Sequence, residues 1–195
     1  MIKQFNIFII GVGGQGIGLL SEIIQRAIDN AGIKSLGVDT HGLAQRGGTV
    51  TSHIRMGSEI YSPLIRENNA DLVIALERHE ALRAVNQYSA PHSTLLYYDA
   101  VWQPLDVRMK LSAQIENVTI EESCSVFNIK SHKIFITDLP DSKMQNIALL
   151  ASLAKFKLLP DISINNYLTA MNDVINDRIL TKNLELFEKI AINLK

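Results

Sequence analysis

The sequence predicts an α/β fold: a Rossmann-like, three-layer arrangement with a mostly parallel sheet and an inserted β-hairpin, forming a single domain over residues 1–195. Three observations lead there. The apolar run Phe5–Ile10 passes directly into Gly11-Val12-Gly13-Gly14-Gln15-Gly16, a strand that turns sharply into a helix start. A helical pattern and a second extended stretch follow, giving a βαβ opening. About one βα unit later comes a second glycine-rich stretch, His41-Gly42-Leu43-Ala44-Gln45-Arg46-Gly47-Gly48, ahead of a β-branched run.

The elements follow in order. Phe5–Ile10 is strand one. Leu20, Ile23, Ile24, Ala27, Ile28 and Ala31 recur at the spacing of one buried helix face, and Gly32 suits the residue just past that helix. Lys34–Asp39 is a second strand, expected to lie parallel beside the first. Thr49–Met56, Gly57-Ser58 and Glu59–Leu64 read as a hairpin through a two-residue turn. Asp71–Leu76 is a buried strand and Glu77–Asn86 a helix turning Ala81, Leu82 and Val85 inward. Thr94–Tyr98 is a further strand, and Asn117–Ile120 and Lys133–Thr137 are weaker strand candidates. Asp141-Ser142 caps a helix over Lys143–Phe156 whose stretch Ile147–Ala151 is apolar almost all round, which requires burial in the core or under another subunit. Pro160 ends it. Ile164, Tyr167, Leu168, Met171 and Val174 mark another amphipathic helix, and Leu184, Phe187 and Ile190 the last.

Composition excludes several function classes. The chain is 47% hydrophobic and 20% charged, and its net charge of −1 supplies no basic field for nucleic acid or a membrane surface. No stretch reaches the roughly 20 apolar residues that span a bilayer. The apolar run at Met1–Ile10 is short and leads into the glycine turn, unlike a secretory signal with its cleavage site. The single cysteine, Cys124, excludes an intrachain disulfide and an iron–sulfur cluster held by this chain alone, and fits a reducing cytoplasm.

Candidate chemistry centres on the two glycine stretches. Gly11, Gly13 and Gly16 match G-x-G-x-x-G, which lets backbone approach an anion at a helix N-terminus. The same glycines also serve close strand–helix packing or contact with another chain. Asp39 lies near the place of a ribose-binding acid, yet the stretch His41–Gly48 replaces the helix a simple dinucleotide fold would have there. His41, Arg46 and Asp39 could bind an oxoacid, and His41 and Arg46 are the weak catalytic candidates. No nucleophile or metal-ligand set accompanies them, which favours a partner-contact role. His53 and Arg55 share one face of a strand, read as surface or interface. Glu77, Arg78, His79 and Glu80 read as a solvated helix start. His92 and His132 stand alone. Cys124 has no base beside it. No Gly-Asp-Gly followed by an asparagine pair is present to hold magnesium pyrophosphate, and there is no Cys-x-x-Cys.

Taken with Ser52-His53-Ile54-Arg55-Met56-Gly57, Ser62-Pro63-Leu64-Ile65, Ala70–Glu77 and Asn146–Leu150, the two glycine stretches resemble one family. It is that of the gamma-type subunits of 2-oxoacid:ferredoxin oxidoreductases, which act on pyruvate, ketoisovalerate or indolepyruvate. Within it, the pattern is most similar to the small (beta) subunits of indolepyruvate ferredoxin oxidoreductase. The resemblance is good over Phe5–Arg83 and looser beyond, and Asn117–Lys130 falls outside it. It implies an α/β subunit without cofactors of its own, working in a hetero-oligomer. The large partner would carry thiamine diphosphate, magnesium and Fe–S clusters, and electrons would pass to ferredoxin. It further implies that Gly11, Gly13, Gly14, Gln15 and Gly16, with His41, Gln45, Arg46, Gly47 and Gly48, form a cofactor-binding or partner-contact face. A stand-alone Rossmann-type NAD(P)- or flavin-binding module is the rival reading, and a homodimer in isolation is a third assembly.

Overall fold

The apolar residues of strand β1 (Phe5–Val12) leave it no exposed face, so it must lie in the middle of a sheet covered on both sides. The computed structural model describes residues 2–40, 48–102, 109 and 114–193, and it places β1 in that way. After β1 come helix α1 (Ile17–Asn30), β2 (Ser35–Thr40), β3 (Thr49–Met56), β4 (Ala70–Ala75), α2 (Arg78–Gln87) and β5 (Ser89–Tyr98). Then follow α3 (Asn117–Val126), β6 (Lys130–Ile134), α4 (Gln145–Lys155), α5 (Ile164–Val174) and α6 (Asp177–Glu188). The six strands form one sheet in the order β2-β3-β1-β4-β5-β6.

β1, β4, β5 and β6 run parallel, while β3 lies antiparallel between β1 and β2. An antiparallel hairpin is therefore present, but its arms are β2 and β3, not Thr49–Met56 and Glu59–Leu64. Residues 41–48 are too few for the crossover of about a dozen that a parallel neighbour needs, so the chain doubles back. With β1 on one edge of β3 and β2 on the other, no edge remains for a strand at 59–64. Nor do β1 and β2 pair, because β3 separates them.

Alternation along the strands divides the core into two layers. Ile7 and Ile9 face α1, α4, α5 and α6. Phe8 and Ile10 face α2 and α3. Helix α4 is buried from Gln145 to Ala154 and belongs to this chain's own core, as its all-round apolarity requires. Asp141 caps the 3-10 turn Ser142–Met144 that leads into it, its carboxylate accepting from Lys143 N–H at 2.9 Å. Gly32 follows α1 with φ +71°, the conformation that favours glycine.

Two smaller expectations change. Asn117–Ile120 opens helix α3 instead of forming a strand. Ile120 and Cys124, four residues apart, fall on the one face that meets the sheet. β6 spans Lys130–Ile134, so the strand starts three residues earlier than the pattern at Lys133–Thr137 suggests.

Leu149 is fully buried in the α4 layer. Leu149→Ala should lower the unfolding free energy by about 3 kcal/mol, checked by urea titration. A loss under about 1 kcal/mol would show that α4 is not the packed centre of this layer.

Candidate functional site

β1 leads into α1 on one face of the sheet, and its neighbour β4 leads into α2 on the other. That divergence opens a crevice at the carboxyl ends of β1 and β4, the place where open α/β sheets bind ligands. The glycine turn Gly11–Gly16 and the segment Leu76–Glu80 form its two walls.

The side chain of Gln15, 2% exposed, fills the base of the crevice. Its Oε1 accepts the Val12 N–H at 2.7 Å. Its Nε2 donates to the Leu76 carbonyl at 3.0 Å and to Gln145 Oε1 at 3.4 Å. One carboxamide thus ties the end of β1 to the end of β4 and to the start of α4. In a dinucleotide fold, backbone N–H groups of this turn meet the pyrophosphate. Here the Val12 N–H is taken up by protein.

The glycines fit tight packing. Gly16 stands just before α1 with φ +77°, and a Cβ there would lie 2.6 Å from Asn146 Nδ2, which donates to the Gly16 carbonyl. A Cβ on Gly11 would lie 3.0 Å from the Leu76 Cβ, so β1 and the end of β4 could not approach as they do. The Gly13 N–H donates to the Gly48 carbonyl at 2.9 Å, joining the turn to the base of the second glycine stretch. On its outer side, the turn opens into a cleft of about 490 Å³ lined by Gly14, Gly16, Asp141, Lys143, Asn146 and Lys182, among others. No side chain caps the N-terminus of α1. Two lysines and a helix start, against the single carboxylate of Asp141, favour an anionic or carboxylate-bearing contact there.

The opposite wall departs from expectation. Glu77, His79 and Glu80 form no solvated helix end; they are 0%, 7% and 1% exposed. Glu77 Oε1 accepts the Glu80 N–H and caps α2, while Glu77 Oε2 pairs with His79 Nδ1 at 3.1 Å. His79 Nε2 accepts the Ile115 N–H, which sets the neutral tautomer with its proton on Nδ1. Glu80 Oε1 accepts from the Thr49 hydroxyl at 2.9 Å. Its Oε2 receives no hydrogen bond, although Arg83 Nε stands 3.3 Å away at ion-pair distance. Burial pushes the Glu80 carboxyl above its ordinary value of 4.5, against the opposing pull of Arg83 and Thr49. Beside them Arg78 Nε donates to Asp99 Oδ1 at 2.5 Å, and Asn117 Nδ2 donates to Asp99 Oδ2. Burial alone would raise Asp99; the bonds from Arg78 and Asn117 outweigh it and hold this carboxyl below its usual range. A Glu directly after the apolar run Leu72–Leu76, at the helix N-cap, is the sequence signal for this wall.

The remaining candidates distribute as follows. Gly11, Gly13, Gly14, Gln15, Gly16 and Gly48 come together at the crevice. His41, Gln45, Arg46 and Gly47 lie outside the described residues. Asp39 accepts from the Ser21 hydroxyl, and β3 separates its strand from β1, so the strand neighbourhood of a ribose-binding acid is not reproduced. His53 is buried, packed edge-on against Phe8 and Tyr88, with Nδ1 accepting the Ile65 N–H; burial lowers its pKa. It is a core histidine, not a surface group. His92 is exposed, and His132 stacks on Phe156. Burial pushes the Cys124 thiol up to about 11, away from nucleophilic use. Among the described residues no three His, Cys, Asp or Glu side chains converge to hold a metal ion. No helix among them is long and apolar enough to cross a membrane.

The family model described as pyruvate ferredoxin/flavodoxin oxidoreductase matches residues 6–191. The chain belongs to this family. It is 30% identical over 198 residues to the indolepyruvate oxidoreductase subunit IorB of Methanothermobacter thermautotrophicus, covering 94% of each chain. It is 51% identical over 80 residues to IorB of Archaeoglobus fulgidus, a match covering 41% of this chain and 39% of that subunit. Among solved structures it is similar to the keto/oxoacid ferredoxin oxidoreductase gamma subunit from Geobacter sulfurreducens. The TM-score is 0.64 at 18% identity, with 97% of this chain and 99% of the other covered. The family membership agrees with the resemblance carried by the two glycine stretches.

Replacing Gln15 by Ala leaves the Val12 N–H and Leu76 carbonyl without their buried partner and should cost about 3 kcal/mol of unfolding free energy, read by denaturant titration. A change within about 0.5 kcal/mol would show that solvent or another group takes over both bonds.

The Glu80 wall makes a pH-dependent prediction. The folded pKa is raised, so ionisation opposes folding; that penalty is absent below 4.5 and grows as pH rises through the folded pKa. Glu80→Gln should therefore gain stability relative to the wild type near pH 7, and the gap should close as pH falls toward 4.5. A gap that widens on acidification would reverse the assignment.

Proposed function

We propose that this chain is the non-cofactor-bearing subunit of a cytoplasmic, ferredoxin-dependent 2-oxoacid oxidoreductase acting on arylpyruvates such as indolepyruvate. Residues 1–195 act as one unit of a hetero-oligomer. The overall reaction takes a 2-oxoacid, coenzyme A and two oxidised ferredoxins to an acyl-CoA, carbon dioxide, two reduced ferredoxins and a proton. Thiamine diphosphate with magnesium, and Fe–S clusters, supply carbanion stabilisation and single-electron transfer from the large partner subunit. The residues of this chain do not fit those groups: its one cysteine is buried and cannot ligate a cluster alone.

The observation that carries this reading is the Gln15 closure of the crevice, in a member of this family. The turn's glycines then serve close approach of elements and of a neighbouring subunit. Gly14 and Gly16 face the cleft between Lys143 and Lys182. His41, Gln45, Arg46, Gly47 and Gly48 are assigned to partner contact. Arg46 is the residue assigned to pairing with the partner subunit. The stand-alone NAD(P) or flavin module is disfavoured because β3 separates Asp39 from the turn's own strand.

The test is co-expression with a thiamine-bearing large subunit, followed by viologen reduction with indolepyruvate, phenylpyruvate and pyruvate. Arylpyruvate-dependent reduction by the complex, and none by either chain alone, is expected. Arg46→Ala should weaken assembly by about 2 kcal/mol or more, since one partner of a buried pair is left unpaired. Micromolar NAD(P) or flavin binding to the isolated chain, or normal assembly and activity of the Arg46 variant, would contradict the reading.

A further inference from the structure

At the other end of β1, about 20 Å along the strand from the glycine turn, a polar pit of about 420 Å³ opens under the sheet. It is built where residues 57–69 pass beneath β1 on the way from β3 to β4. Its floor is Asn6, 5% exposed. The Asn6 Oδ1 accepts from Arg55 Nε at 3.0 Å and from Gln4 Nε2 at 3.2 Å, and its Nδ2 donates to the Asn69 carbonyl at 2.8 Å. Arg55 Nη1 donates to the Ser62 carbonyl at 2.9 Å. The guanidinium is thus held rigidly by two of its five N–H donors, and the others remain for a ligand.

The pit has cations without anions. Arg55 and Arg66 both line it, and among the described residues no carboxylate comes within 4.0 Å of either guanidinium. The nearby carboxylates are engaged elsewhere. Glu59 pairs with Lys3, Glu67 accepts from Gln87, and Asp71 accepts the Asn6 N–H. Leu64, which lines the pit, is 57% exposed. A concave, immobilised arginine with free donors, a second arginine beside it and an exposed leucine in the lining match a carboxylate side chain flanked by an apolar residue.

We propose that this pit receives a Glu or Asp side chain of the large partner subunit, with Leu64 covering the apolar residue next to it. The occupant is a different polypeptide. A second copy meeting this patch across a two-fold axis would set Arg55 and Arg66 against their own like charges. The inference rests on the functional reading above, which supplies the partner, and adds a second contact on the edge opposite the glycine turn.

The experiment uses the chain co-expressed with its thiamine-bearing partner subunit and measures subunit affinity in the purified complex. Arg66→Glu is decisive, because Arg66 is exposed and among the described residues has no hydrogen bond or ion pair that holds the fold. It should weaken assembly at least tenfold. Lys130→Glu, the same charge change on the distant edge strand β6, should shift it less than twofold. Wild-type affinity should fall between 0.1 and 0.5 M salt more steeply than that of the Arg66 variant. Arg55→Gln and Leu64→Ser should also weaken assembly, with the thermal midpoint of each isolated chain confirming that it folds. Assembly of Arg66→Glu within twofold of wild type overturns the pit as a docking site and leaves the functional reading standing. Failure of the wild-type chain to assemble with the partner at all overturns that reading, and this proposal with it.

Discussion

Three elements that share no local sequence meet on the carboxamide of Gln15. The Val12 N–H at the end of β1, the Leu76 carbonyl beyond β4 and Gln145 at the start of α4 are each bonded to it. Buried polar groups of this kind must be satisfied, and only a side chain that both donates and accepts can serve a backbone N–H and a carbonyl together. The close approach of Gly11 to Leu76, and of Gly16 to Asn146, brings these groups within reach. The strand end of the turn is bonded to protein, while its helix end faces the cleft beside Lys143 and Lys182.

The second constraint is the short connection between β2 and β3. It forces an antiparallel strand between β1 and β2 in an otherwise parallel sheet. Thr49 is thereby set opposite Val12, where its hydroxyl reaches Glu80. The hairpin, the glycine turn and the start of α2 consequently converge on one end of the sheet. At the other end, the return from β3 to β4 passes beneath β1 and builds the arginine-lined pit. One topological choice shapes both edges.

Much of this was legible in the residues. The strand–turn–helix at Phe5–Ile28, the buried strand before Glu77, the all-apolar α4 and the last two helices follow from periodicity and punctuation. The family follows from the two glycine stretches. Pairing was less legible, because alternation in Thr49–Met56 gives a strand without naming its neighbours. Asn117–Ile120 carries β-branched residues, yet the spacing of Ile120 and Cys124 makes it a helix once a sheet lies beneath. The burial of Glu77, His79, Glu80 and His53 was missed because charge at a helix start ordinarily indicates solvent. Nothing local shows that α2 begins inside a crevice. Gln15 was identified by its place in the turn, but two of its three bonding partners lie 61 and 130 residues away.

Amide hydrogen exchange at Val12 tests the Gln15 closure most directly. If the carboxamide seals the crevice, the Val12 N–H exchanges only through global unfolding, with the same protection as the Leu76 N–H bonded to Ile10 in the sheet. Exchange of Val12 a hundredfold or more faster than Leu76 would show an open turn with its backbone free for a ligand, and would contradict the account.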